Sequence, residues 1–135
     1  MLRFSKLWIA LSALLLVASL WIALKPITLE DESWLGWISF LTRSDKVIHV
    51  EAFLGLGAWF GSLAGPARWR SVGVMLILYG ALVEILQGLL TADRHPDIYD
   101  LVADVAGIAL GLLAARWFGR NWLLRVDGWL AARAG

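Results

Sequence analysis

A chain of 135 residues, 60% of them hydrophobic and with a mean hydropathy of +0.72, is too apolar for an ordinary water-soluble domain. It contains no cysteine, which excludes disulfides, thiolate metal sites and thiol nucleophiles. A net charge of +1 gives no basic field for nucleic acid, and the length suits one domain over 1–135.

The first apolar run, Leu7 to Leu24, is interrupted only by Ser12 and Ser19 and is flanked by Arg3, Lys6 and Lys25-Pro26. About 20 apolar residues span a bilayer, so this run is long enough to cross. A cleaved signal peptide is the rival reading. Bulky Trp21 and Ile22 stand where a cleavage site requires small residues, so an uncleaved first helix is expected.

Glu30, Asp31 and Glu32 then precede Trp34, Trp37, Ile38 and Leu41, which fall on one helical face. Acids suit a helix start, and the segment is too short to span. The pattern predicts a short interfacial helix along the headgroups.

A second apolar run, Val47 to Leu63, holds His49 and Glu51 and ends at Gly65-Pro66, followed by Arg68 and Arg70. The third, Val72 to Leu90, holds Glu84 and Gln87. After the loop Thr91 to Asp97, the fourth, Ile98 to Phe118, holds Asp100 and Asp104. In the tail, Trp122, Leu123, Val126, Trp129 and Leu130 alternate with Arg120, Arg125 and Arg133, as in a basic amphipathic helix on a membrane surface. The scattered tryptophans read as interfacial belts. The expected fold is all-α: a polytopic membrane four-helix bundle with spans near 7–24, 47–63, 72–90 and 98–118. A short interfacial helix in the first outer loop and an amphipathic C-terminal helix complete it.

Cytoplasmic loops carry the excess of lysine and arginine. Arg3, Lys6, Arg68, Arg70, Arg116, Arg120, Arg125 and Arg133 lie at the termini and in the second loop. Lys25, Arg43, Lys46 and Arg94 lie in the other two loops, among Glu30, Asp31, Glu32, Asp45, Asp93 and Asp97. The expected protein is therefore a multi-pass cell (inner) membrane protein with both termini cytoplasmic. Asp45, Lys46, His49, Glu84, Gln87, Arg94, Asp100 and Asp104 then all converge on the outer side.

Helical spacing sharpens this. His49, Phe53, Gly57 and Gly61 share a stripe, as do Gly80, Glu84 and Gln87, and as do Asp100, Asp104, Gly107 and Gly111. Each stripe is polar at its outer end and glycine deeper in. Small residues let membrane helices approach closely, and polar side chains then bond across the contact. At about 1.5 Å per residue, Glu84 and Asp104 lie roughly 9 Å inside their helix ends.

On these residues the chain resembles the VanZ-like membrane protein family. The matching elements are Asp45-Lys46-x-x-His49, Glu84-x-x-Gln87, and then Arg94, Asp100, Asp104, Gly107 and Gly111, over about Ser44 to Leu113. Two positions depart from the family's pattern, which usually has Tyr where Phe53 stands and Asn where Asp104 stands. The first removes a hydroxyl, and the second replaces a neutral amide by an ionisable group. The family takes its name from a protein linked to resistance to the glycopeptide teicoplanin. The resemblance thus implies a setting of envelope integrity or glycopeptide tolerance, without specifying a reaction.

Ionisable residues inside a membrane are functional candidates by default. The leading expectation is an outward pocket lined by Asp45, Lys46, His49, Glu84, Gln87, Arg94, Asp100 and Asp104. It would bind a cell-envelope molecule, an anionic lipid or lipid-linked precursor, with Arg94 as the anion anchor. An intramembrane acid–base enzyme on a lipid headgroup, using His49 with Glu84 or Asp104, is the first alternative. A non-catalytic assembly module contacting a second copy or another membrane protein is the other. No nucleic-acid partner and no cofactor are expected. No tight ligand spacing supports zinc, although His49, His95 and the carboxylates include ligand types for a divalent ion, so no metal is expected.

Overall fold

The computed structural model describes residues 3–24, 45–91 and 97–134, without the side chains of Asp45, Arg120, Asn121 and Ala134. These residues form five α-helices: α1 (Ser5–Leu24), α2 (Asp45–Ala64), α3 (Trp69–Leu90), α4 (Ile98–Ala114) and α5 (Arg120–Ala134). A 3₁₀ turn, Pro66–Arg68, leads into α3, and a π-helical turn, Ala115–Gly119, carries α4 into α5. Four of the helical stretches are long and apolar enough to cross a membrane: Ser5–Leu24, Lys46–Ala64, Pro66–Leu90 and Ile98–Gly119. Their bounds differ from the expected spans by at most six residues, at Pro66. The interfacial helix expected over 34–41 lies outside the described residues.

The tightest pairing is between α2 and α4, and glycine is the reason. A Cβ on Gly107 would run into the Val50 carbonyl, and one on Gly111 into the Leu54 carbonyl. On the facing helix, a Cβ on Gly57 would sit 2.8 Å from the Ile108 carbonyl oxygen. The two backbones are therefore in direct contact, as small residues permit in membrane helices. Helix α3 packs across this pair through a core of Phe53, Leu56, Val72, Leu76 and Ile108. Between α2 and α3 the chain reverses at Gly65, whose φ of 75° falls in the region that favours glycine, with Pro66 opening the next turn.

Helix α1 is attached differently. Its one buried residue is Trp8, while Ile9, Leu14, Val17, Trp21 and Ile22 are exposed. Apolar burial does little to hold such a helix if its surroundings are lipid, so polar ties carry more weight. The Tyr79 hydroxyl donates to the Leu16 carbonyl at 2.9 Å and lies 2.7 Å from the Ser19 hydroxyl. The Trp59 indole donates to Ser12 Oγ at 2.9 Å, and the Gln87 amide to the Ala23 carbonyl at 2.9 Å.

The fourth tie joins the two ends of the sequence. Asp127 of α5, only 4% exposed, accepts from the Trp8 indole at 2.9 Å and from the backbone N–H groups of Arg3 and Phe4 at 2.8 and 3.2 Å. A carboxylate placed on the unsatisfied N–H groups of a helix start is a cap supplied from a distant part of the chain. Beside it Trp8, Trp59 and Trp122 pack on one another with ring centroids 5.9 to 6.4 Å apart. Of these three, Trp8 is buried, Trp59 half-buried and Trp122 partly exposed, whereas Trp21, Trp117 and Trp129 are more exposed, as belt residues would be.

Candidate functional site

The polar cluster lies where α2 and α4 begin and α3 finishes. His49, one turn into α2, is buried, because the α2–α4 contact turns its stripe inward along with Phe53, Gly57 and Gly61. Glu84 and Gln87 on α3, and Asp100, Asp104, Gly107 and Gly111 on α4, are buried for the same reason. Glu51, two positions from His49, is exposed on the opposite side.

His49 is the hub. Its Nδ1 lies 2.8 Å from Asp104 Oδ1, a direct hydrogen bond between two buried groups. Its Nε2 faces Glu84 Oε1 at 3.7 Å and Asp100 Oδ2 at 4.0 Å. Those two distances exceed hydrogen-bond length. Asp104 is fully buried at 0% exposure, and its second oxygen, like Glu84 Oε1, lacks a hydrogen-bond partner among the described residues. The Asp104 carboxylate lies against α3 at Gly80, where a Cβ would come within 2.6 Å of Oδ2. Gly80 is thus the space in which the acid sits.

A second layer closes the cluster toward the loop end. Lys46 Nζ donates to Asp97 Oδ2 at 2.9 Å and to Asp100 Oδ1 at 3.0 Å, with the lysine side chain 49% exposed. Asp97 caps α4, its carboxylate accepting from the Tyr99 N–H at 2.8 Å. That bond, with Lys46 beside it, holds the Asp97 carboxyl below its ordinary value. Glu84 Oε2 in turn accepts from the Asp97 backbone N–H at 3.2 Å. One carboxylate of α3 therefore grips the start of α4, while its other oxygen points at His49.

Of the expected site residues, Lys46, His49, Glu84, Asp100 and Asp104 are brought together. Gln87 is buried but turned the other way, its amide spent on the Ala23 carbonyl of α1. Arg94 lies outside the described residues, as do His95 and the Asp45 side chain. Asp97 belongs to the cluster and was not among the expected site residues. Its position just before Ile98, at a helix start, is the signal that could have placed it. At the other end an apolar groove of about 230 Å³, lined by Gly55, Trp59, Ser62, Phe118 and Trp122 among others, has no ionisable group in its lining. The chemistry-bearing residues are gathered at the α2–α4 start.

Chemically, a histidine fixed by one carboxylate and facing two more can exchange protons, accept donors from a ligand, or coordinate a cation. Comparison with protein-family models, with curated proteins and with solved structures found no match.

Proposed function

We propose that the chain is an integral protein of the cell (inner) membrane, a VanZ-like four-helix bundle with both termini cytoplasmic. Its polar cluster then opens outward and binds a cell-envelope molecule, an anionic lipid or lipid-linked precursor. The observation behind this reading is the meeting of His49, Glu84, Asp100 and Asp104, all buried, at one end of three apolar helices. As helix glue each polar contact contributes only about 1 kcal/mol or less. Three carboxylates on one histidine are a poor structural device at that return, and an apt one for a ligand.

The arrangement suggests how a headgroup would sit. Carboxylate oxygens only accept, so they suit hydroxyl or amine groups of the ligand. Half-exposed Lys46 suits the neighbouring phosphate, and Arg94 would add a bidentate grip. Helix α5, with Leu124, Val126 and Trp129 exposed beside Arg125 and Arg133, would lie along a membrane surface.

One observation favours the enzymatic alternative as a second reading. His49 has its Nδ1 held by Asp104 and its Nε2 turned to the other acids, the geometry of an oriented general base. Cells lacking the protein and complemented with Glu84→Gln, Lys46→Ala or Asp100→Asn test both readings. Failure to restore envelope integrity or glycopeptide tolerance is expected of each variant. Full complementation by all three, at wild-type protein level, overturns the assignment of function to this cluster. Turnover of a defined lipid by purified protein, lost in His49→Ala, would select the enzyme.

A further inference from the structure

We infer that His49 Nε2, Glu84 and Asp100 form a three-ligand site for a divalent transition-metal cation of the zinc or manganese class, with Asp104 orienting the histidine. The inference goes beyond the headgroup reading and stands without it.

The first observation is spacing. One ligand atom from each of the three residues lies within 4.8 Å of the other two, and all three residues are buried. His49 Nε2 is 3.7 Å from Glu84 Oε1 and 4.0 Å from Asp100 Oδ2. With those two sides and a third no longer than 4.8 Å, a point equidistant from the three atoms is at most about 2.5 Å from each, within a few tenths of an ångström of typical Zn–N and Zn–O bonds. Small side-chain rotations close that difference.

The second is an atom with nothing to do. Glu84 is 7% exposed, and its Oε1, aimed at His49, has no hydrogen-bond partner among the described residues, while its Oε2 is occupied by the Asp97 N–H. Buried acceptors are normally satisfied, so an orphan aimed at two other potential ligands marks a place for a cation or a proton.

The third is the tautomer. When Nδ1 donates to Asp104 Oδ1, Nε2 is left as an acceptor, with the Glu84 and Asp100 oxygens 3.7 and 4.0 Å from it. Three acceptors then face one another at a separation too long for hydrogen bonds and suited to a shared cation. A carboxylate holding the far nitrogen of a metal-ligating histidine is the usual support of such sites. Lys46 is already engaged by Asp97 and Asp100. A divalent ion would balance carboxylates that the described ion pairs leave uncompensated, and three protein ligands leave it an open position for water or a headgroup oxygen.

The test uses the full chain in nanodiscs, stripped with chelator and then titrated separately with zinc, manganese, magnesium and calcium. Metal content after dialysis and the thermal midpoint are read together. Zinc or manganese should bind at one equivalent and raise the midpoint. Glu84→Gln should abolish this, and Asp104→Asn should weaken affinity about 10–100-fold while retaining one equivalent. Cobalt substitution supplies a fold-independent readout on the wild-type chain, since a site of this kind gives visible d–d absorbance. No stoichiometric zinc or manganese and no cobalt spectrum in the wild type would overturn the inference, as would binding unchanged in Glu84→Gln. Preference for magnesium or calcium would overturn the assigned metal class.

Discussion

His49 and Asp104 share a 2.8 Å hydrogen bond across the α2–α4 contact, with Asp104 wholly shielded from solvent. The bond ties two helices whose backbones already touch at glycine, so its geometry is fixed by packing around it. Replacing Asp104 by leucine removes the only hydrogen-bond partner of the His49 imidazole among the described residues and leaves that buried ring unsatisfied. A loss of about 1–3 kcal/mol is expected, read as the unfolding midpoint in mixed detergent and SDS. Asp104→Asn keeps an acceptor for an N–H donor and should lose less. Equal losses in the two variants would show that the bond has no structural weight.

The α2–α4 contact makes a sharp prediction about glycines. Gly107→Ala drives a methyl group into the Val50 carbonyl, and Gly111→Ala into that of Leu54. Each should destabilise by about 1–3 kcal/mol or prevent accumulation of folded protein. Gly73→Ala meets nothing within 4 Å and should be neutral or stabilising by about 0.5–1 kcal/mol, because alanine is the better helix former. Thermal midpoints of the three variants in one detergent would decide it.

Asp127 links pH to the seating of α1. The Trp8 indole and the Arg3 N–H hold its carboxyl below the ordinary value. An acid held low stabilises the folded arrangement above its unfolded value, and that contribution disappears as pH falls through the lowered one. Trp8 should therefore become solvent-accessible only in acid, below about pH 4. In Asp127→Ala the same red shift of tryptophan emission should be present already at neutral pH. A titration identical in wild type and variant would remove Asp127 from this role.

Sidedness is testable because the chain has no cysteine, so single cysteines report on a silent background. Exposed Ile98 opens α4 beside the cluster, and exposed Ala67 lies in the turn at the opposite end. With the expected orientation, Ile98→Cys reacts with a membrane-impermeant maleimide in intact cells, and Ala67→Cys reacts only after permeabilisation. The reverse pattern would invert the topology and face the cluster to the cytoplasm.

Much of this site was legible in the sequence because helical geometry repeats. Spacings of three and four put His49 with Gly57, Glu84 with Gly80, and Asp104 with Gly107 and Gly111 on shared faces, and all of these are buried. What spacing cannot carry is the angle at which faces meet. Gln87 shares a stripe with Glu84, yet one turn further along it has passed the cluster and meets α1. The sequence puts His49, Glu84 and Asp100 in one pocket, but residues spread over three helices leave no compact motif, so their approach within 4.8 Å of one another appeared only in three dimensions. The Asp127–Trp8 bond spans 119 positions, and no local periodicity reports on such a contact. Its one trace was an acid in a basic tail, four residues after apolar Leu123 and so on the same face.

The account rests on the cluster at the α2–α4 start being a place where an envelope molecule binds. Native mass spectrometry of the protein released with its own lipids reads that directly. The wild-type chain should carry a bound lipid or lipid-linked species that is lost in Glu84→Gln and Asp100→Asn, and retained in Gln87→Leu and Glu51→Gln. The same adducts on all five proteins, or none on the wild type, would contradict it.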